Sequence, residues 1–143
     1  MSQYHHTYLH RLTIPFHQAR FIPPAHAHLP LYPITHIGFS IPYSRQFLST
    51  PHISFNLLLA ALWSPSGRRM IADAKAANRP VYAWTANEDK AFDWCIRKGL
   101  DGVITDDPRK FIAYRKAFQV GNEVPRWELG TLLNYLKINL FAM

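Results

Sequence analysis

Apolar and polar positions recur along this chain at spacings that predict alternating strands and helices. Val81-Tyr82-Ala83-Trp84 is a short apolar run after Pro80, the pattern of a buried strand. Thr85 and Glu88 stand at capping-box spacing, which predicts a helix start there. Ala91, Phe92, Cys95 and Ile96 continue at helical spacing. Arg97 and Lys98 sit where cations favour the helix dipole, and Gly99 is placed to end the helix. Gly102-Val103-Ile104-Thr105 predicts a second strand, after which Asp106-Asp107-Pro108 offers caps and an N1 proline to the next helix. Two strands separated by a helical connection of this length must run parallel.

The same reading extends upstream. Residues 34–41 alternate, with Ile37, Phe39 and Ile41 on one side and His36, Gly38 and Ser40 on the other, which predicts a strand with one small, polar face. A helix is expected to begin within 42–48 and a strand at 53–57. A further helix is expected over 66–78, with Met70, Ile71 and Ala74 facing inward. Residues 1–33 are rich in His, Pro and Tyr, and prolines 15, 23, 24, 30 and 33 break up any long element. This segment is expected to be irregular and loosely held, with a short strand at 12–14 and a single turn at 25–29. Residues 34–119 read as the α/β domain and 120–143 as a separate tail. In the tail Trp127, Leu129, Leu132, Leu133, Leu136 and Leu140 form the apolar stripe of an amphipathic helix. A bilayer span needs about 20 apolar residues. Residues 129–143 are fewer and include Asn134, Lys137 and Asn139, so the tail is expected to lie on a lipid surface or dock on protein.

Trp84-Thr85-Ala86-Asn87, followed by Gly99-Leu100-Asp101-Gly102-Val103-Ile104-Thr105-Asp106-Asp107-Pro108, resembles the C-terminal end of the glycerophosphodiester phosphodiesterase family. Closing strands in that family read WTVN and then GxDGIITDxP, and Ala86 is the visible departure, standing where valine is usual. The runs 16–22, 33–48 and 52–57 are similar to the fungal, phosphatidylglycerol phospholipase C-like branch. The resemblance covers residues 14–119 and implies the C-terminal half of a TIM (β/α)8 barrel, with four or five parallel strands and their helices. It also implies a hydrolase of glycerophosphodiesters or glycerophospholipids that uses Mg2+ or Ca2+.

The catalytic motifs of that family are not in this sequence. Its members open with a His-Arg-Gly strand and a Glu-Asn-Thr turn, then supply a Glu-x-Asp metal pair, a second histidine and a later metal-binding Glu. A hard divalent cation requires carboxylate oxygens, and no Asp or Glu precedes Asp73 here. His10-Arg11 is followed by Leu12 in place of glycine. The expectation is a phosphodiesterase-like chain that holds no metal and is inactive alone, either a fragment or truncated gene product or one half that pairs with a companion N-terminal half. Its rival is a non-enzymatic half-barrel that binds a lipid surface or a partner.

At 143 residues the chain is long enough for one domain, while a complete barrel takes about 250. The net charge of +7 arises from 16 basic and 9 acidic residues. The basic residues are dispersed in pairs, without the runs or aromatic signatures of nucleic-acid binding, so no nucleic-acid partner is expected and anionic lipid is the better fit. Cys95 is alone, which precludes an internal disulfide, and the first dozen residues lack the apolar core of a signal peptide. An intracellular protein is expected, peripheral to a membrane or lipid droplet if the tail attaches it.

Four residues are candidates for a substrate pocket, and none for catalysis. By resemblance Trp84 would wall the pocket at the end of its strand, with Asn87 just beyond. His36 and Ser40 are candidates from the small face of their strand. Asp106 and Asp107 read as helix caps. The eight histidines all precede residue 53 but lack a third ligand at zinc spacing, so solvated loop histidines are expected.

Overall fold

The computed structural model describes residues 14–16 and 19–118. The chain runs β1 (Ile14–Phe16), a 3-10 turn, α1 (Ile22–His28), β2 (Ile34–Gly38) and α2 (Ile41–Arg45). It continues through β3 (Ile53–Leu58), α3 (Leu59–Trp63), α4 (Pro65–Ala76), β4 (Val81–Trp84), α5 (Asp89–Arg97), β5 (Gly102–Val103) and α6 (Pro108–Ala117). The five strands pair in sequence order, β1-β2-β3-β4-β5, and every pairing is parallel. Right-handed crossovers that step always in one direction leave their helices on one side of the sheet. The result is an α/β arc of the kind found in a (β/α)8 barrel, with β1 and β5 as its edges among the described residues.

Side-chain alternation divides the sheet into two faces. Ile34 and His36 of β2, Ile53, Phe55 and Leu57 of β3, and Val81 and Ala83 of β4 share one face, and all are buried. They form one cluster with Leu59, Leu62, Met70, Ile71, Ala74, Ala91, Phe92 and Cys95 from the helices. The other face carries Thr35, Ile37, Ser54, Asn56, Leu58, Tyr82 and Trp84. Its last residues, Ile37, Asn56, Leu58, Tyr82 and Trp84, are only half-buried. This is the open face, the side that lines the interior in a closed barrel.

Several elements differ from the sequence expectation. Residues 19–28 of the proline-rich segment form the 3-10 turn and α1, with Pro23 and Pro24 in the first turn of the helix, where a missing N–H costs nothing. Ile22 and Ala25 of that helix are buried, and β1 adds a strand to β2. The strand expected to Ile41 stops at Gly38, and Ser40 becomes the N-cap of α2, accepting from Tyr43 N–H. The helix expected to start at Thr85 begins at Asp89 after Glu88, which makes no side-chain cap. Thr85 to Asn87 instead follow the strand, with Ala86 N–H bonded to Ile104 O at 2.9 Å. Asp107 caps α6 as expected, accepting from Lys110 N–H at 2.9 Å. The predicted tail helix lies outside the described residues, and so do His5, His6, His10 and His17. No helix among the described residues is long and apolar enough to cross a membrane.

Candidate functional site

The carboxyl ends of the strands place Trp84 on the open face, paired in register with Leu58. Its indole Nε1–H donates to Asn56 O at 3.2 Å, which fixes the ring against β3. The peptide between Trp84 and Thr85 is cis. Ile37, Asn56, Leu58 and Trp84 thus form a wall at one end of the open face, apolar but for the Asn56 amide. The Asn56 Oδ1 is buried and accepts no hydrogen bond among the described residues. Further down the same face stands Tyr82, whose pKa is raised by burial first and by the Asp101 charge second, so its phenol is protonated at neutral pH.

Asn87 lies just beyond this wall and is spent on structure. Its Oδ1 accepts from Thr105 Oγ1 at 3.0 Å and from Asp106 N–H at 2.9 Å, while its Nδ2 donates to Asp106 Oδ2 at 2.5 Å. Lys110 Nζ closes the cluster, donating to Asn87 O and pairing with Asp89, each at 3.1 Å. The loops after β4 and β5 are therefore clamped together by one amide, with Trp84 at the root of the first.

His36 and Ser40 do not join Trp84. His36 is fully buried on the helix-covered face, among the rings of Tyr43, Phe47 and Phe55. Ser44 Oγ donates to Ser40 O at 2.9 Å and is left as an acceptor, so His36 Nε2, 3.1 Å away, is the donor between them. His36 thus ties β2 to α2. The packing is close enough that a Cβ at Gly38 would fall 2.8 Å from both His36 Nε2 and Ser44 Oγ. The physical reason for the difference is phase: the strand is buried on both sides here, so small and polar residues did not mark the open face. Ser40 is the half-buried cap of α2. Asn56 was missed, although a lone amide between Phe55 and Leu57 alternates against an apolar face and was visible in the sequence.

The described residues do not form a cation cage. No three of His, Cys, Asp and Glu come together among them, and the carboxylates near the strand ends are committed. Asp106 holds Asn87, Asp107 caps α6 and Asp89 pairs with Lys110. What this end of the sheet offers is an indole wall, an unpartnered amide oxygen and a rigid pair of loops, a set suited to binding and orienting a ligand.

A singly wound parallel arc with helices outside and a walled open face defines part of a (β/α)8 barrel. The sequence matches the glycerophosphoryl diester phosphodiesterase family over residues 10–110, and the chain belongs to that family. Comparison with curated proteins gave no match. Among solved structures, a protein of Silicibacter pomeroyi DSS-3 assigned as a glycerophosphoryl diester phosphodiesterase is similar at 16% identity and a TM-score of 0.61. A phosphodiesterase of Oleispira antarctica, solved with its product sn-glycerol-3-phosphate, is similar at 20% identity and a TM-score of 0.63. Each likeness covers 73% of this chain but only 38% and 42% of the respective relatives. The chain thus spans well under half the length of these solved relatives, and at such identities the likeness establishes the fold.

Proposed function

We propose that this chain contributes the C-terminal half of a fungal-type glycerophosphodiester phosphodiesterase barrel, of the phosphatidylglycerol phospholipase C-like branch. On this reading it walls the pocket for a glycerophosphodiester or the head group of a glycerophospholipid. The observation that carries the proposal is Trp84, held on the open face at the carboxyl end of β4 by its bond to Asn56 O, where barrel enzymes build their sites. The companion N-terminal half supplies the carboxylates, the divalent cation and the acid–base groups. Trp84, Leu58 and Ile37 then exclude water from the apolar side of the substrate, Asn56 Oδ1 accepts from a substrate hydroxyl, and Asn87 keeps the wall in place.

The test is an assay of the purified chain on a glycerophosphodiester and on phosphatidylglycerol vesicles with Mg2+ or Ca2+. It is run alone and with a co-expressed chain carrying the family's His-Arg-Gly strand and carboxylate pair. No turnover is expected alone, and chelator-sensitive turnover, lowered by Trp84→Ala, is expected in the mixture. Chelator-sensitive hydrolysis by the repurified chain alone, or none in any pairing, overturns the proposal.

A second reading is a non-enzymatic half-barrel on an anionic lipid surface, peripheral to an intracellular membrane or lipid droplet. It draws on two exposed aromatic side chains, Phe39, 58% exposed, and Tyr43, together with the net charge of +7. Flotation with anionic liposomes tests it, and a chain ending at Val124 that floats as well as the full chain removes the tail from the account.

A further inference from the structure

At the amino-terminal ends of β2, β3 and β4, opposite the Trp84 wall, lies a pocket of about 400 Å3 that includes Arg79, Asn78, His52, Ser54 and Tyr82 in its lining. Its volume falls within the roughly 300–1,000 Å3 of small-ligand sites. No carboxylate is among its lining side chains. Asp101, on the neighbouring strand connection, is engaged by Val81 N–H at 2.7 Å and stays outside the lining.

Arg79 is the residue that needs explaining. Its Nε is buried and donates to nothing among the described residues, an unfavourable state for a charged donor. The chain is turned into this position by a helix end. Asn78, at φ 54°, follows α4 in the left-handed conformation, with Asn78 N–H bonded to Lys75 O and Arg79 N–H to Ala74 O. The other non-glycine residue with positive φ among the described residues is His52, at 58°, in the turn that enters β3. No helix end accounts for it, and it lines the same pocket. Tyr82 adds a protonated phenol.

The geometry points to an oxyanion site in which the Arg79 guanidinium is the charged group that meets a phosphate, free or carried on a small ester, with Asn78, His52 and Tyr82 as further polar partners. It is separate from the carboxyl-end site and stands whether or not that site binds a phosphodiester.

The full chain is titrated at constant ionic strength with inorganic phosphate, with glycerol phosphate and with phosphatidic acid vesicles, while backbone amide shifts are followed by NMR. Saturable shifts confined to His52, Ile53, Asn78, Arg79 and Tyr82 are expected, and Arg79→Gln should weaken binding at least about tenfold, the worth of one charge-assisted hydrogen bond. Arg79→Lys keeps the charge, guards against a variant that fails to fold, and should bind between the two. Saturation by the soluble phosphates identifies a free ligand, and saturation by vesicles alone identifies a lipid head group. Shifts scattered over all the basic residues, or equal affinity in the wild type and both variants, overturn the proposal.

Discussion

Trp84 Nε1–H is bonded to the main-chain carbonyl of Asn56 at 3.2 Å, so the aromatic wall of the open face is pinned to backbone and not to another side chain. Mutation of Asn56 leaves that acceptor in place, whereas mutation of Trp84 removes the donor. Trp84→Phe should cost about 1 kcal/mol, the net worth of one hydrogen bond. Trp84→Ala should cost about 2–3 kcal/mol, below the range for a fully buried tryptophan because the ring is half-exposed. Urea melts of the two variants read the difference, and a Trp84→Phe protein as stable as the wild type would show that the bond does not hold the ring.

Asn87 makes three side-chain hydrogen bonds between two loops, and all three sit near solvent. Asn87→Ala should therefore destabilise the chain by about 1–2 kcal/mol. Asn87→Asp keeps the acceptor but sets a second carboxylate against Asp106, so at pH 7 it should be less stable than the alanine variant. Thermal melts of both proteins at low and high salt check the order, and the gap should narrow as salt screens the repulsion.

Much of this arrangement was legible in local chemistry. Gly99 ends α5 with a positive φ of 60°, and Asp107 caps α6, both as spacing predicted. The parallel order of the strands followed from their separation by helices. What was not legible depended on which side of a strand faces the helices. Residues 34–38 place Thr35 and His36 on opposite faces and bury both, so polarity alone could not tell that His36 packs under α2 while Ile37 reaches the open face. The Thr85 capping box failed for a related reason: Ala86 pairs with Ile104 and Asn87 with Asp106, contacts from β5 and its following loop that hold the chain extended past the cap signal. Asn87 was expected to face a pocket, and its bonding partners show a loop clamp.

Gly67 reverses the usual helix preference. Alanine is favoured over glycine in helices by about 1 kcal/mol, and Gly67 lies inside α4. A Cβ there would fall 2.5 Å from Leu62 Cα and 2.6 Å from Leu62 O, both backbone atoms of α3 that cannot swing aside. Overpacking of this kind costs about 1–3 kcal/mol or more. Gly67→Ala should thus lower stability by at least about 1 kcal/mol, read from the denaturant midpoint at unchanged slope, and a variant as stable as the wild type would mean that α3 and α4 separate freely.

Cys95 reports on the core through pH. It is 1% exposed, and burial pushes its thiol from the ordinary 9.0 up to about 12. The folded state therefore holds the proton where the unfolded chain has released it. Stability from this group is fully present below about pH 9 and is lost as pH rises towards 12, at no more than about 1.4 kcal/mol per pH unit. Cys95→Ala removes the thiol along with some packing, so it should start less stable at pH 7 and fall less steeply above pH 9. In the wild type, a thiol reagent at pH 8 should react only as fast as the chain opens, and react at once in urea. Parallel pH–stability slopes for the two proteins, together with rapid labelling of the folded chain, would place the Cys95 sulfur in water.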